Sequence, residues 1–231
     1  MPGFTDPREL TQLPLFRDLT REQLAWVNER LRRTAYPANT TVFSVEQPAE
    51  VVYIVYSGTT RIHVEQMSGS DVIIDISGPG DVMGEMAVIE GVGRSASALT
   101  LEDSVLLWMD RASFMEALRT IPTVSINLIR ILSNRLRHAN DRIQSFASLN
   151  VDGRVARHIL AYAHKYGKQQ PNGDLLIPIR LTQSDVAELV GSTRESVNKI
   201  MSYLRRRKLI SIDRDYRITV HDVNGLESLA Q

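Results

Sequence analysis

Residues 181–199 read Leu-Thr-Gln-Ser-Asp-Val-Ala-Glu-Leu-Val-Gly-Ser-Thr-Arg-Glu-Ser-Val-Asn-Lys, and their punctuation decides the fold of this end of the chain. Thr182 is a good helix N-cap, and Asp185, three residues on, can reach back to it as in a capping box. Val186, Ala187, Leu189 and Val190 supply one buried face. Gly191 stops the helix, because only glycine takes the left-handed backbone cheaply. Ser192 or Thr193 then caps a second helix over Arg194–Arg206, whose inward face is Val197, Ile200, Met201 and Leu204. A helix, a glycine turn and a second helix form a helix-turn-helix. Two β-branched runs follow, 209–212 and 216–220, around Asp213-Arg214-Asp215, and are expected to form a hairpin, or wing.

The second helix has the chemistry of a recognition helix. Arg194, Glu195, Asn198 and Lys199 cluster at its start, away from the apolar face. Arginine offers a fork to guanine O6 and N7, and glutamate accepts from cytosine N4. Thr182, Gln183 and Thr193 lie at the two helix starts and are taken with them as DNA-binding candidates. Arg205, Arg206, Arg207 and Lys208 are suited to phosphate rather than base edges. The net charge of zero hides an asymmetry: −4 over residues 1–150 and +4 over 151–231. A basic third suits a polyanion, although the same charge would also suit a solvated face.

Upstream, residues 150–153 interrupt a long helical pattern. Asp152 is the expected N-cap of the next helix and Asn150 the expected hinge. Between 121 and 149 an apolar seam of Ile129, Leu132, Leu136, Ala139, Ile143 and Phe146 is spaced 3, 4, 3, 4, 3. That is an a/d heptad pattern. Val124, Leu128 and Ile131 form a second stripe. One stripe can pack on the neighbouring domain while the other meets a second copy, so a parallel homodimer is expected; a buried helix in a monomer is the alternative.

The first 120 residues read mostly as strands, at 42–45, 51–56, 60–66, 72–76 and 104–109, separated by turn signals that include Ser57-Gly58, Ser68-Gly69 and Gly78-Pro79-Gly80. A small antiparallel barrel or sandwich is expected. A helix precedes it, opened by a Thr20–Gln23 capping box.

The whole is α+β: an N-terminal strand-rich domain over 1–120, a helix over 121–149, and a winged helix-turn-helix over 150–231. Residues 181–199 resemble the winged helix of the cyclic-AMP receptor protein and Fnr-type (Crp–Fnr) regulators, which carry Arg-Glu followed four residues later by a basic residue, here Arg194, Glu195 and Lys199. The family's usual residue at the last position is Arg, and lysine lacks its fork. The resemblance implies a jelly-roll-like cyclic-nucleotide-binding β-roll, a dimerisation helix and recognition of TGTGA-like palindromes.

Residues 80–87 (Gly-Asp-Val-Met-Gly-Glu-Met-Ala) and 94–98 (Arg-Ser-Ala-Ser-Ala) resemble the family's phosphate-binding cassette. The implied ligand is cyclic AMP, with Gly84, Glu85, Met86, Arg94 and Ser95 at its ribose and phosphate. The chemistry fits independently: Glu85 can accept from a ribose hydroxyl, Arg94 can pair with a phosphate, and Ser95 can donate to it. An internal Glu85–Arg94 salt bridge is the alternative use of the pair. The adenine positions of the family's dimer helix match Ala139 and Asn140; Asn140 offers donor and acceptor, whereas Ala139 offers neither. A ligand-independent DNA-binding regulator therefore stands beside the cyclic-AMP-controlled one, and a sensor signalling through protein contacts is a third reading.

Composition removes other sensors. There is no cysteine, hence no disulfide and no cysteine-held zinc or iron–sulfur cluster. His63 is expected at the surface rather than as a haem ligand, and the five histidines show no metal spacing. No GxSxG, Walker or HExxH motif occurs, so no enzyme is expected. The longest apolar run, 51–56, is far short of the roughly 20 residues of a membrane helix. The N-terminus does not read as a secretory signal. A cytoplasmic protein with RNA polymerase as a further partner is the expectation.

Overall fold

In the computed structural model, which describes residues 6–65 and 71–230, the chain divides into two compact units, 1–135 and 136–231. The first begins with short 3₁₀ segments, Pro7–Gln12 and Pro14–Phe16, and helix α1, Arg21–Arg30. Its capping box is complete: Gln23 N–H donates to Thr20 Oγ1 at 3.3 Å, and Thr20 N–H donates to Gln23 Oε1 at 2.9 Å.

Strands β1 (Arg32–Tyr36), β2 (Thr41–Phe43), β3 (Val51–Ser57), β4 (Thr60–Glu65), β5 (Asp71–Ser77) and β6 (Val82–Met83) follow, then helix α2 (Glu85–Glu90), β7 (Ser97–Thr100), β8 (Ser104–Asp110) and α3 (Arg111–Thr120). They make two antiparallel four-stranded sheets, in the orders β1-β8-β3-β6 and β2-β7-β4-β5. Phe43, Val55, Met83, Ala98 and Leu106 form one buried cluster, drawn from both sheets. Alternation sends Leu107 and Met109 to the opposite face of β8 from Leu106, where they join Val27, Phe114, Val124 and Leu128 in a larger core. The expected turn at Ser68-Gly69 and residue 66 lie outside the described residues.

Strands β1, β6 and β7 and helix α3 go beyond the sequence reading. β1 reads Arg-Arg-Thr-Ala-Tyr with mostly exposed side chains, and its strand conformation comes from pairing Arg32–Tyr36 against Ser104–Trp108. His63 lies on β4 with its side chain 13% exposed, 3.7 Å from Asp71, so it is not the surface residue expected.

Helix α4, Pro122–Ser148, is continuous. Val124 and Leu128 are buried in the core of the first unit, with Ile131 and Leu132 packed against it. Ile129, Leu136 and Ile143, seven residues apart, are 61%, 63% and 68% exposed.

The second unit continues with α5 (Val151–Tyr166), β9 (Lys168–Gln169), β10 (Leu175–Ile177), α6 (Gln183–Leu189), α7 (Arg194–Arg206), β11 (Ile210–Ile212), β12 (Ile218–Val220) and α8 (Val223–Leu229). The cap of α5 is Asn150, whose side chain accepts from Gly153 N–H at 2.9 Å; Asp152, expected to cap, sits in the first turn instead. The hairpin β11–β12 extends into the sheet β11-β12-β10-β9. Helix α7 packs on α5 and α6, and Val155, Ile159, Val186, Leu189, Val197 and Leu204 of the three helices are buried.

One histidine of this unit is half-buried near cations, with its Nε2 out of solvent. His158 Nε2 has no hydrogen-bond partner, and its ring stands edge-on to Tyr162 with centroids 4.5 Å apart. Burial, with Arg142 and His138 nearby, pushes its pKa down to about 3. The folded state thus keeps this imidazole neutral, while the unfolded chain takes up a proton below about pH 6.5. Stability is therefore lost as pH falls from about 6.5 toward 3. Between pH 7 and pH 5 we expect this group to cost about 2 kcal/mol. Urea unfolding at the two pH values checks it, and His158→Phe should remove most of the difference.

Candidate nucleotide pocket and nucleic-acid interface

Gly84 joins β6 to α2 in the left-handed region, at φ +77°. A Cβ there would collide with the guanidinium of Arg94, so the position needs glycine twice over. Arg94 itself is clipped in place through its backbone: its N–H donates to Gln47 O at 3.1 Å and its carbonyl accepts from Glu46 N–H at 2.9 Å. Gly93 permits this approach, since a Cβ would sit 3.1 Å from Glu46 O.

The Arg94 side chain then turns inward. It donates to Gly84 O at 2.7 Å and to Val51 O at 2.5 Å, and lies over the Phe43 ring at 4.5 Å. Its Nε–H is buried and has no partner. Burial lowers the pKa of this guanidinium from its ordinary value. A guanidinium stays charged even so, and a buried, incompletely paired cation is costly.

Glu85, with its side chain 2% exposed, does not pair with Arg94. It pairs with Arg135 of α4, whose guanidinium lies 2.5 Å from Oε1 and also donates to Val82 O at 2.8 Å. Burial alone would lower the Arg135 pKa; the carboxylates of Glu85, Asp81 and Asp75 more than reverse that and raise it. The sequence reading missed Arg135, because fifty residues separate it from Glu85 and no local pattern links them.

Gly84, Glu85, Met86, Arg94 and Ser95 line one cavity of about 150 Å³, together with Arg135. Ser95 and Met86 are exposed at it, whereas Glu85 and Arg94 are buried. Asn140 is exposed on α4 in the second unit and does not line this cavity. The lining suits a small anion bearing hydroxyls: a buried arginine with a free donor for phosphate, a carboxylate for a hydroxyl, and glycine where backbone must come close. Among the described residues no group of three or more His, Cys, Asp or Glu is placed to hold a metal ion.

The second site is the exposed face of α7. Thr193 caps this helix, accepting from Ser196 N–H at 3.2 Å. Gly191, at φ +61°, sets the turn before it; a Cβ there would meet the Phe146 ring at 2.8 Å. Arg194, Glu195, Asn198 and Lys199 are all exposed, while Val197, Ile200, Met201 and Leu204 are buried. Thr182 is half-buried, and its hydroxyl is committed to Asp185 Oδ2 at 2.6 Å inside the capping box; Gln183 beside it is half-buried too. Lys199, Arg205 and Arg206 line a groove that α7 forms with β11.

An anion pocket in a two-sheet roll and a basic helix-turn-helix define a DNA-binding transcription regulator with a cyclic-nucleotide-binding domain. Two family models match: "Cyclic nucleotide-binding domain" over residues 33–120 and "Crp-like helix-turn-helix domain" over residues 153–229. The chain belongs to the Crp–Fnr family. It is 30% identical to the "CRP-like cAMP-activated global transcriptional regulator" of Mycobacterium tuberculosis, over 88% of this chain and 91% of that one. It is 28% identical to the "Cyclic AMP receptor protein" of Thermus thermophilus, over 86% and 88%. The structure of FixK2 from Bradyrhizobium japonicum shares the fold, with a TM-score of 0.74 at 22% identity over 87% of this chain and 98% of that one. Among the described residues no helix is long and apolar enough to cross a membrane.

Proposed function

We propose that this regulator is a homodimer, joined through residues 121–149, that binds a TGTGA-like palindrome under the control of cyclic AMP. In this reading residues 1–120 sense, 121–149 dimerise and 150–231 bind DNA, with RNA polymerase as a downstream partner. The nucleotide's phosphate takes Arg94 and Ser95, its ribose hydroxyl takes Glu85, Gly84 and Met86 flank it, and Asn140 meets the adenine edge. Arg194, Glu195 and Lys199 read bases, with Asn198 beside them and Thr182, Gln183 and Thr193 at the phosphates. A ligand shifts such an equilibrium only by its differential affinity for the two states. Two recognition helices one DNA turn apart stand roughly 34 Å from each other.

The observation that carries the ligand reading is Arg94: a buried guanidinium with an unpartnered Nε–H, in the cavity that also holds Glu85. The test is fluorescence anisotropy of a labelled TGTGA palindrome and a scrambled duplex, with and without cyclic AMP. Cyclic AMP should tighten binding to the palindrome alone. Arg94→Ala should weaken nucleotide binding about 10- to 100-fold, the range for a lost charge-assisted bond, and abolish the response.

A second reading drops the ligand. It is favoured by the closure of the pocket on itself: Arg94 holds the Gly84 and Val51 carbonyls, and Glu85 holds Arg135. In that case the palindrome binds equally well without nucleotide and Arg94→Ala changes nothing.

A further inference from the structure

His221, the residue after β12, ties together two parts of the winged sheet. Its Nδ1 lies 2.7 Å from Asp174 Oδ2, in the turn before β10, and its Nε2 lies 2.9 Å from Ser211 Oγ, in the middle of β11. Asn172 Nδ2 donates to the same Asp174 oxygen at 2.7 Å, so the carboxylate is held from both sides. Ser211 is exposed and lines the groove of α7 with Lys199, Ser202, Arg205 and Arg206. No acidic side chain lines that groove.

We propose that the groove between α7 and β11 is a DNA-phosphate subsite in which Ser211 is the hydroxyl donor, and that the Asp174–His221 pair decides which way this hydroxyl points. The proposal deepens the DNA-binding reading above and rests on it. Arg205 and Arg206 supply charge, with Lys199 at the base-reading end of the groove, but all three are long side chains on one helix; Ser211 is the short, strand-mounted group that lines the groove with them.

The switch follows from donor counting. Asp174 accepts from Nδ1–H whether His221 is neutral or charged. When His221 is neutral, Nε2 has only a lone pair, so the Ser211 O–H donates to it and presents only lone pairs to the groove. When His221 is protonated, Nε2–H donates to Ser211 Oγ, and the serine hydrogen is free to swing to a phosphate oxygen. Phosphate binding thus favours the imidazolium, and DNA affinity rises as pH falls. The ionisable groups at His221 are Asp174, from the turn before β10, and Asp222, the next residue along; the α7 cations line the groove with Ser211 rather than with the imidazole. The Asp222 carboxylate is committed to Gly225 N–H at 2.9 Å, as the cap of α8.

The test measures the affinity of the full-length chain for the palindrome and the scrambled duplex from pH 5.5 to 8 at constant ionic strength. Wild type, Ser211→Ala and His221→Gln are compared, with circular dichroism to confirm that each is folded. Wild-type affinity should rise toward low pH on both duplexes. Ser211→Ala should bind both about 3- to 10-fold more weakly at pH 6, as expected for one hydrogen bond. It should lose the part of the pH response that His221→Gln also loses. A Ser211→Ala or His221→Gln response parallel to wild type overturns the proposal. If wild type shows no preference for the palindrome, the specificity reading fails instead, while the scrambled duplex still reports on the phosphate subsite.

Discussion

In the proposed homodimer, replacing Leu136 and Ile143 together by glutamate should leave only monomer. Both side chains are about two-thirds exposed, and both lie in register with Ile129 on one stripe of α4. An exposed stripe of large apolar residues on a long helix is stable in water when a second copy covers it. Each such side chain contributes about 1.5–3 kcal/mol on burial, and the two-fold axis counts each change twice. The combined loss, about 6–12 kcal/mol, raises the dimer dissociation constant by at least about 10⁴-fold. The carboxylates would also repel across the axis. Sedimentation equilibrium at micromolar protein reads the change. DNA affinity should fall with it, because a monomer engages one half-site. The opposite stripe, Val124 and Leu128, is buried in the first unit, so the substitutions leave that core untouched. A variant that remains dimeric would assign the interface to another surface.

The second large effect belongs to Arg194. Its side chain is exposed in the first turn of α7, after the Thr193 cap has fixed where the helix begins. Arg194→Ala should cost about 1–3 kcal/mol, or roughly 5- to 150-fold, on the matched palindrome. The loss should vanish on a duplex whose corresponding guanine is replaced. Arg206→Ala makes the contrast: it should weaken all duplexes alike and reduce the salt dependence by about one counterion per site. Competition binding over single-base variants separates the two patterns. Equal binding of the palindrome by Arg194→Ala and wild type would sink the assignment of the recognition helix.

How legible the molecule was in its residues depended on distance along the chain. The helix-turn-helix could be read almost to the residue, because its signals are local: Thr182 and Asp185 cap each other three residues apart, Gly191 takes a conformation other residues resist, and of the two caps left open for α7, Ser192 and Thr193, it is Thr193 that closes on Ser196. The start of α5 was legible only to within two residues. Asn150, expected as the hinge, is the cap, its side-chain amide oxygen accepting from Gly153 N–H three residues on, whereas a cap at Asp152 would have served the N–H groups of residues 154 and 155. In the cavity of the first unit, the run 84–86 and the pair Arg94-Ser95 stood out through glycine and charge. Their pairing did not.

Local sequence therefore carried the heptad pattern of α4, the basic face of α7 and the residue types of the pocket, since each is written within one or two helical turns or a single loop, but it left out β1, β6, β7 and α3, and Leu132 of the heptad seam packs on the first-unit core. Tertiary structure decided the rest. It made a strand of Arg32–Tyr36, whose polar side chains give no such signal, by placing it against β8, some seventy residues away. It gave Glu85 to Arg135 rather than to Arg94, and turned Arg94 onto two backbone carbonyls. It linked Asp174, His221 and Ser211, which lie on three separate segments. The physical reason is common to all three. A strand pairing, ion pair or hydrogen bond between separate segments, most of them forty or more residues apart, exists only once the whole fold has brought those segments together, which no local pattern records.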